Sequence, residues 1–170
     1  MPNRRFITAF ILVLMVQLVL TKYCQLAPFL YICLLPAMVL CLPTSKPSWY
    51  IMIYAFAAGL LVDGLADGSL GLNAMAAVAV AAVQKLVLKL CIGEEIVERG
   101  YAFSFHENGF LKIFLALLAS TTVFFAVYVI ADSAGIRTGG FNFLKWACST
   151  AVSIIFGLVT VNILSPYKNS

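Results

Sequence analysis

Six apolar runs follow one another along the chain with short polar joints between them: Phe6 to Thr21, Cys24 to Leu42, Trp49 to Ala66, Gly71 to Ile92, Phe110 to Ala131 and Phe143 to Leu164. Each is near the length that crosses a bilayer as a helix, about 20 residues. Backbone in lipid must satisfy its own hydrogen bonds, so the runs predict an all-α, polytopic membrane protein with about six transmembrane helices. With 63% hydrophobic and only 11% charged residues, the chain has too little polar surface to enclose a soluble core. No polar stretch is long enough to fold separately, so residues 1–170 read as a single integral membrane domain.

The first run follows Arg4 and Arg5, outlasts the apolar core of a secretory signal and is followed by no A-x-A site, so it is expected to stay as a membrane helix. Thr21, Lys22 and Tyr23 before Cys24 lack the small side chains of a lipoprotein signal. The second run contains Pro28 and Pro36. Proline removes an intrahelical hydrogen bond, so a kinked span or a partly re-entrant segment fits, and the kinked span is the preferred expectation.

Six spans allow the loops to be summed by side. One side collects Arg4, Arg5, Lys46, Lys85, Lys89, Arg99, Lys112 and Lys168, and the other has Lys22, Arg137 and Lys145. The positive-inside rule then places both termini in the cytoplasm and the turn from Asp67 to Leu70 near the outer face. The basic residues are dispersed at segment ends and form no stripe with interleaved aromatics, so nucleic acid is not an expected partner. The longest hydrophilic piece, Gly93 to Gly109, carries Glu94, Glu95, Glu98, Arg99, Tyr101, Phe103 and Phe105. It is expected at the cytoplasmic surface, as an interfacial strip in the headgroup region or as a docking edge for a partner protein.

The third run places Asp63 at membrane depth among Gly59, Gly64, Asp67, Gly68, Gly71 and Asn73. A charge there costs roughly 3 kcal/mol on insertion scales, so it has a partner or a task. Two readings stand side by side: a buried carboxyl bonded to backbone or to Asn73, Ser120 or Thr121, and a functional proton or cation contact. Asp63 and Asp67 share a helix face if the helix continues, although Asp67 is better read as a cap on the turn into the fourth helix. The glycines, together with Ala74, Ala76, Ala77, Ala79, Ala81 and Ala82, read as a packing seam of small residues.

Enzymatic chemistry has little support. His106 is the lone histidine and has no evident nucleophile near it, so no base-activated triad can be composed. Asp63-Gly64-Leu65-Ala66 echoes the opening of the CDP-alcohol phosphatidyltransferase signature, but Asp67 stands where its arginine belongs and the later carboxylates are missing. Hard cations want several oxygen ligands, and the other carboxylate at membrane depth is Asp132, so no metal and no cofactor are expected. Five cysteines without C-x-x-C spacing read as small core residues.

A short chain with minimal loops, Gly59-x-x-x-Asp63, and Leu70-Gly71-Leu72-Asn73-Ala74 entering an alanine-rich helix together resemble MreD, the membrane subunit of the bacterial rod-shape machinery. Pro28-Phe29-Leu30-Tyr31-Ile32 looks like the Bacteroidetes version of that family. Asn73, a position of histidine in that version, and Lys85 and Lys89, where it has an arginine–proline pair nearby, depart from it. The resemblance implies a non-enzymatic scaffold of lateral peptidoglycan synthesis in the cytoplasmic membrane, acting with an MreC-like protein, with RodA and its transpeptidase partner, and indirectly with MreB. The runner-up is the substrate-binding subunit of an energy-coupling-factor vitamin transporter, similar in helix layout. Such a subunit usually has an alanine-x-x-x-alanine seam in helix one, where this chain has only Ala9.

Overall fold

The computed structural model describes residues 4–23, 30–67, 71–94, 109–133 and 139–164. Its helices are α1 (Arg4–Tyr23), α2 (Leu35–Leu40), α3 (Ser48–Val62), α4 (Leu72–Cys91), α5 (Phe110–Ser133) and α6 (Gly139–Leu164). The protein is all-α, and among the described residues five helices are long and apolar enough to cross a membrane: α1, α3, α4, α5 and α6. Half of the apolar window of α5 is buried against 17% of that of α1, so α5 is central and α1 lies at the rim. The ring cluster Phe124, Phe125 and Tyr128 on α5, joined by Tyr31, marks the middle of the core.

The second apolar run departs from the expected kinked span. Tyr31 to Leu34 are non-helical, and only the six residues of α2 are wound. Pro36 explains the break. Within one continuous helix it would leave the carbonyl of Ile32 without its donor and clash with it. In the first turn of a new helix its missing N–H costs nothing, and that is where it stands. The run ends as abruptly, with Pro43 and Pro47 flanking the joint into α3.

This segment is buried from Tyr31 through Leu40 and threads between regular helices. At its start Tyr31 meets Asn73 on α4, and at its end Val39, Leu40 and Leu42 meet Gln84 of the same helix. The eleven residues between those two positions correspond to about 16 Å of helix. It runs antiparallel to α1, since Gln17 reaches Ile32 and Leu34 while Phe6 and Phe10 lie beside Leu42 and Pro43.

α3 does not stop at Val62 but widens into one π-helical turn, Asp63–Asp67. α4 then begins after Gly71, whose φ of 102° is the left-handed conformation that glycine adopts without strain. The small residues sort by face. Ala74, Ala76, Ala77 and Ala81 are buried, Ala79 is half-buried and Ala82 is exposed. Gly64 is also exposed, and a Cβ there would meet nothing within 4 Å. The packing seam therefore omits Gly64, Gly71 and Ala82.

Candidate functional site

Asp63 is fully buried, and both its oxygens accept hydrogen bonds from the start of α4. Oδ2 accepts from the amides of Gly71 and Ala74, each at 3.0 Å. Oδ1 accepts from the Asn73 amide at 3.0 Å and from its side-chain Nδ2 at 2.9 Å. The first amides of a helix have no intrahelical partner and carry the positive end of its dipole. α4 has no side-chain cap of its own. A carboxylate supplied by the preceding helix fills that role and is compensated at a depth where a free charge would be costly.

Gly59 stands one turn earlier on α3, against the backbone of Asn73 and Ala74. Its lack of a side chain brings the two helices close enough for Asp63 to reach the α4 amides. Gly59, Asp63, Gly71, Asn73 and Ala74 thus form one joint. The structure favours the buried-carboxyl reading of Asp63, with Asn73 and backbone as partners. Thr121 instead donates to the carbonyl of Leu117 in its own helix. Asp67 belongs to the π-helical turn by its backbone, and its side chain lies outside the described residues, as does Gly68.

The joint continues sideways. Asn73 Nδ2 also donates to the Tyr31 hydroxyl at 2.9 Å. The Tyr31 ring stacks on Tyr128 with centroids 4.8 Å apart and a 14° tilt. Lys145 Nζ lies 5.3 Å from the centroid of Tyr128 and 2.7 Å from Asp132 Oδ2. A chain of contacts therefore links the α3–α4 hairpin, through the unwound segment, to the α5–α6 hairpin. Its members are polar or aromatic and held by one another, an arrangement suited to fixing helix positions.

The unwound segment needs such fixing because its backbone has no helix to satisfy it. Gln17 on α1 accepts from the Leu34 amide at 2.6 Å and donates to the Ile32 carbonyl at 3.3 Å. Ser149 and Ser153 on α6 accept from the amides of Tyr31 and Cys33, each at 3.0 Å. Gln84 on α4 donates to the carbonyl of Val39 at 2.8 Å and reaches those of Leu40 and Leu42.

None of Gln17, Gln84, Tyr31, Tyr128, Lys145, Ser149 or Ser153 stood out as a site in the sequence. The available signal was the pair of prolines in the second run, which announces backbone groups in want of partners, together with isolated polar residues inside apolar helices. Just after α4, Glu94 is exposed and pairs with Lys89. The hydrogen bond from Lys89 and its positive charge hold the Glu94 carboxyl below the usual carboxylate range. Glu95, Glu98, Arg99, Tyr101, Phe103 and Phe105 lie outside the described residues.

No family model, curated protein or solved structure matches the chain.

Proposed function

We propose that this protein is a non-enzymatic membrane scaffold of the bacterial cell-elongation complex, similar to MreD. The observation that carries the reading is the joint itself. The described residues of the stretch that resembles the family, Gly59, Asp63, Gly71, Asn73 and Ala74, act together as one structural unit. The polar side chains around it bind the protein's own backbone and each other, as a rigid platform for partners requires.

In this reading the unwound segment is a sixth, discontinuous crossing. The non-helical residues Tyr31 to Leu34 and the six-residue α2 together run along about 16 Å of α4, more than half of the hydrocarbon thickness of about 30 Å. Counting it brings both termini to one side. The bundle end that carries Lys46, Lys85, Lys89 and Lys112 then faces the cytoplasm. The loop between Gly93 and Gly109 faces cytoplasmic partners, and an MreC-like protein, RodA and its transpeptidase partner meet the scaffold within or beside the membrane.

Affinity purification of the tagged protein from its native membranes in mild detergent, followed by mass spectrometry, tests the proposal. Recovery of an MreC-like protein with cell-wall elongation enzymes is expected. Recovery of a paired ATPase module instead would make the chain a transporter subunit. Replacing the 93–109 loop with a neutral linker is expected to reduce partner recovery, and unchanged recovery would remove the loop from the interface.

A further inference from the structure

At the end of the bundle where α1 begins and α2 joins α3, an open groove of about 260 Å³ lies between the first turns of α1 and α3. Phe6 and Phe10 form one wall, Leu42 and Pro43 the floor, and Tyr50 and Tyr54 the other wall. Polar groups gather at one edge. The Tyr50 hydroxyl donates to that of Tyr54 at 2.9 Å, leaving the Tyr54 proton for a further acceptor. Lys46 is exposed, has its ammonium 5.8 Å from the Tyr50 ring centroid, and makes no ion pair among the described residues. Trp49 stands exposed beside them. An apolar slot edged by tyrosine, tryptophan and lysine at the end of a membrane helix matches the headgroup boundary of a bilayer.

We propose that this groove binds one phospholipid with an anionic headgroup, an acyl chain lying against Phe6, Phe10 and Leu42 and the phosphate held by Lys46 and the tyrosine hydroxyls. Charge decides the headgroup: Lys46, the cation at the groove among the described side chains, has no acidic partner among them. Shape decides against a partner helix. Close helix approach in lipid uses small residues, whereas these walls are phenylalanine and tyrosine, which leave room for a flexible chain. The site is independent of the scaffold reading and stands if that reading fails.

The test is native mass spectrometry of the full-length protein released from nanodiscs of equimolar phosphatidylglycerol and phosphatidylcholine with identical chains. Retention of one phosphatidylglycerol is expected, favoured about fivefold by a single lysine at the surface. Lys46→Gln should bring the two lipids to equal retention. Lys89→Gln, at the same end of the bundle but outside the groove lining, should leave the preference intact. Ile7→Trp, which fills the groove from its exposed rim, should lower retention of both lipids. Melting temperatures of all three variants should match the parent, since the altered side chains are exposed. Equal retention by the parent, a preference that survives Lys46→Gln, or a dimer that forms on this face and excludes lipid would each overturn the proposal.

Discussion

A Cβ atom on Gly59 would stand 2.4 Å from the Cα of Ala74, well inside contact distance. The obstructing atoms are backbone, so no side chain can turn aside to make room, and any larger residue must push α3 away from α4. Asp63, one turn along, would be drawn off its donors. Gly59→Ala is expected to cost about 3 kcal/mol, the upper part of the range for overpacking. Gly64→Ala, in open space, should stay within about 1 kcal/mol of the parent. Thermal unfolding in one detergent compares them, and equal melting temperatures would remove the close approach as the reason for glycine at position 59.

Asp63→Asn keeps the shape of the side chain but replaces one acceptor oxygen with a donor. One cluster of α4 amides then faces an NH₂ group, and the charge opposite the helix dipole is gone. A loss of roughly 3 kcal/mol is expected, as for removing a buried charge-assisted acceptor. The readout is a lower melting temperature with faster proteolysis between α3 and α4. A variant that keeps the parental melting temperature yet loses function would point to proton or cation traffic through Asp63.

Ala77 is fully buried on α4 and Ala82 is exposed on the same helix. Ala77→Leu should wedge the neighbouring helices apart at a cost of about 1–3 kcal/mol, and accumulation in membranes should fall. Ala82→Leu should accumulate normally. Normal accumulation of both would show that this side of α4 has slack.

The membrane class and four of the long helices lie close to the ranges read from the apolar runs, because burial in lipid leaves a strong imprint on composition. Gly59 and Asp63 were visible as exceptions within a run. That Asp63 serves α4 and not its own helix was not visible, because the contact depends on how the hairpin closes. The same holds for the second run. Its prolines announced irregular backbone, but non-helical chain followed by a six-residue helix is held by Gln17, Gln84, Ser149 and Ser153, which come from three other helices. Lys145 reads from sequence as a charge at the outer end of the sixth run, yet it is buried in the first turns of α6 beside Asp132.

That ion pair is a target for a double-mutant cycle. The Lys145 side chain is 9% exposed and that of Asp132 22%, so water screens the pair in part, and each single replacement should cost less than the 3–5 kcal/mol of a fully buried pair. Lys145→Met and Asp132→Asn are each expected to lose about 2 kcal/mol, with the double variant losing less than their sum. Additive losses would show that the two charges do not sense each other.

Gln17 allows the support of the unwound segment to be tested at a single side chain. Its amide group accepts from Leu34 and donates to Ile32 and Thr21, so Gln17→Leu leaves a buried amide and a buried carbonyl unmatched, at a cost of roughly 3 kcal/mol. Ser149, Ser153 and Gln84 still hold the rest of the segment, and the effect should therefore be local opening with the helices retained. Cys33 reports that opening, since its side chain is buried and its amide is held by Ser153. Maleimide labelling of Cys33, read by peptide mass spectrometry, should be slow in the parent and in Met15→Leu, on the exposed side of α1, and several-fold faster in Gln17→Leu. Unchanged labelling would mean that the contacts from α4 and α6 suffice to hold the segment.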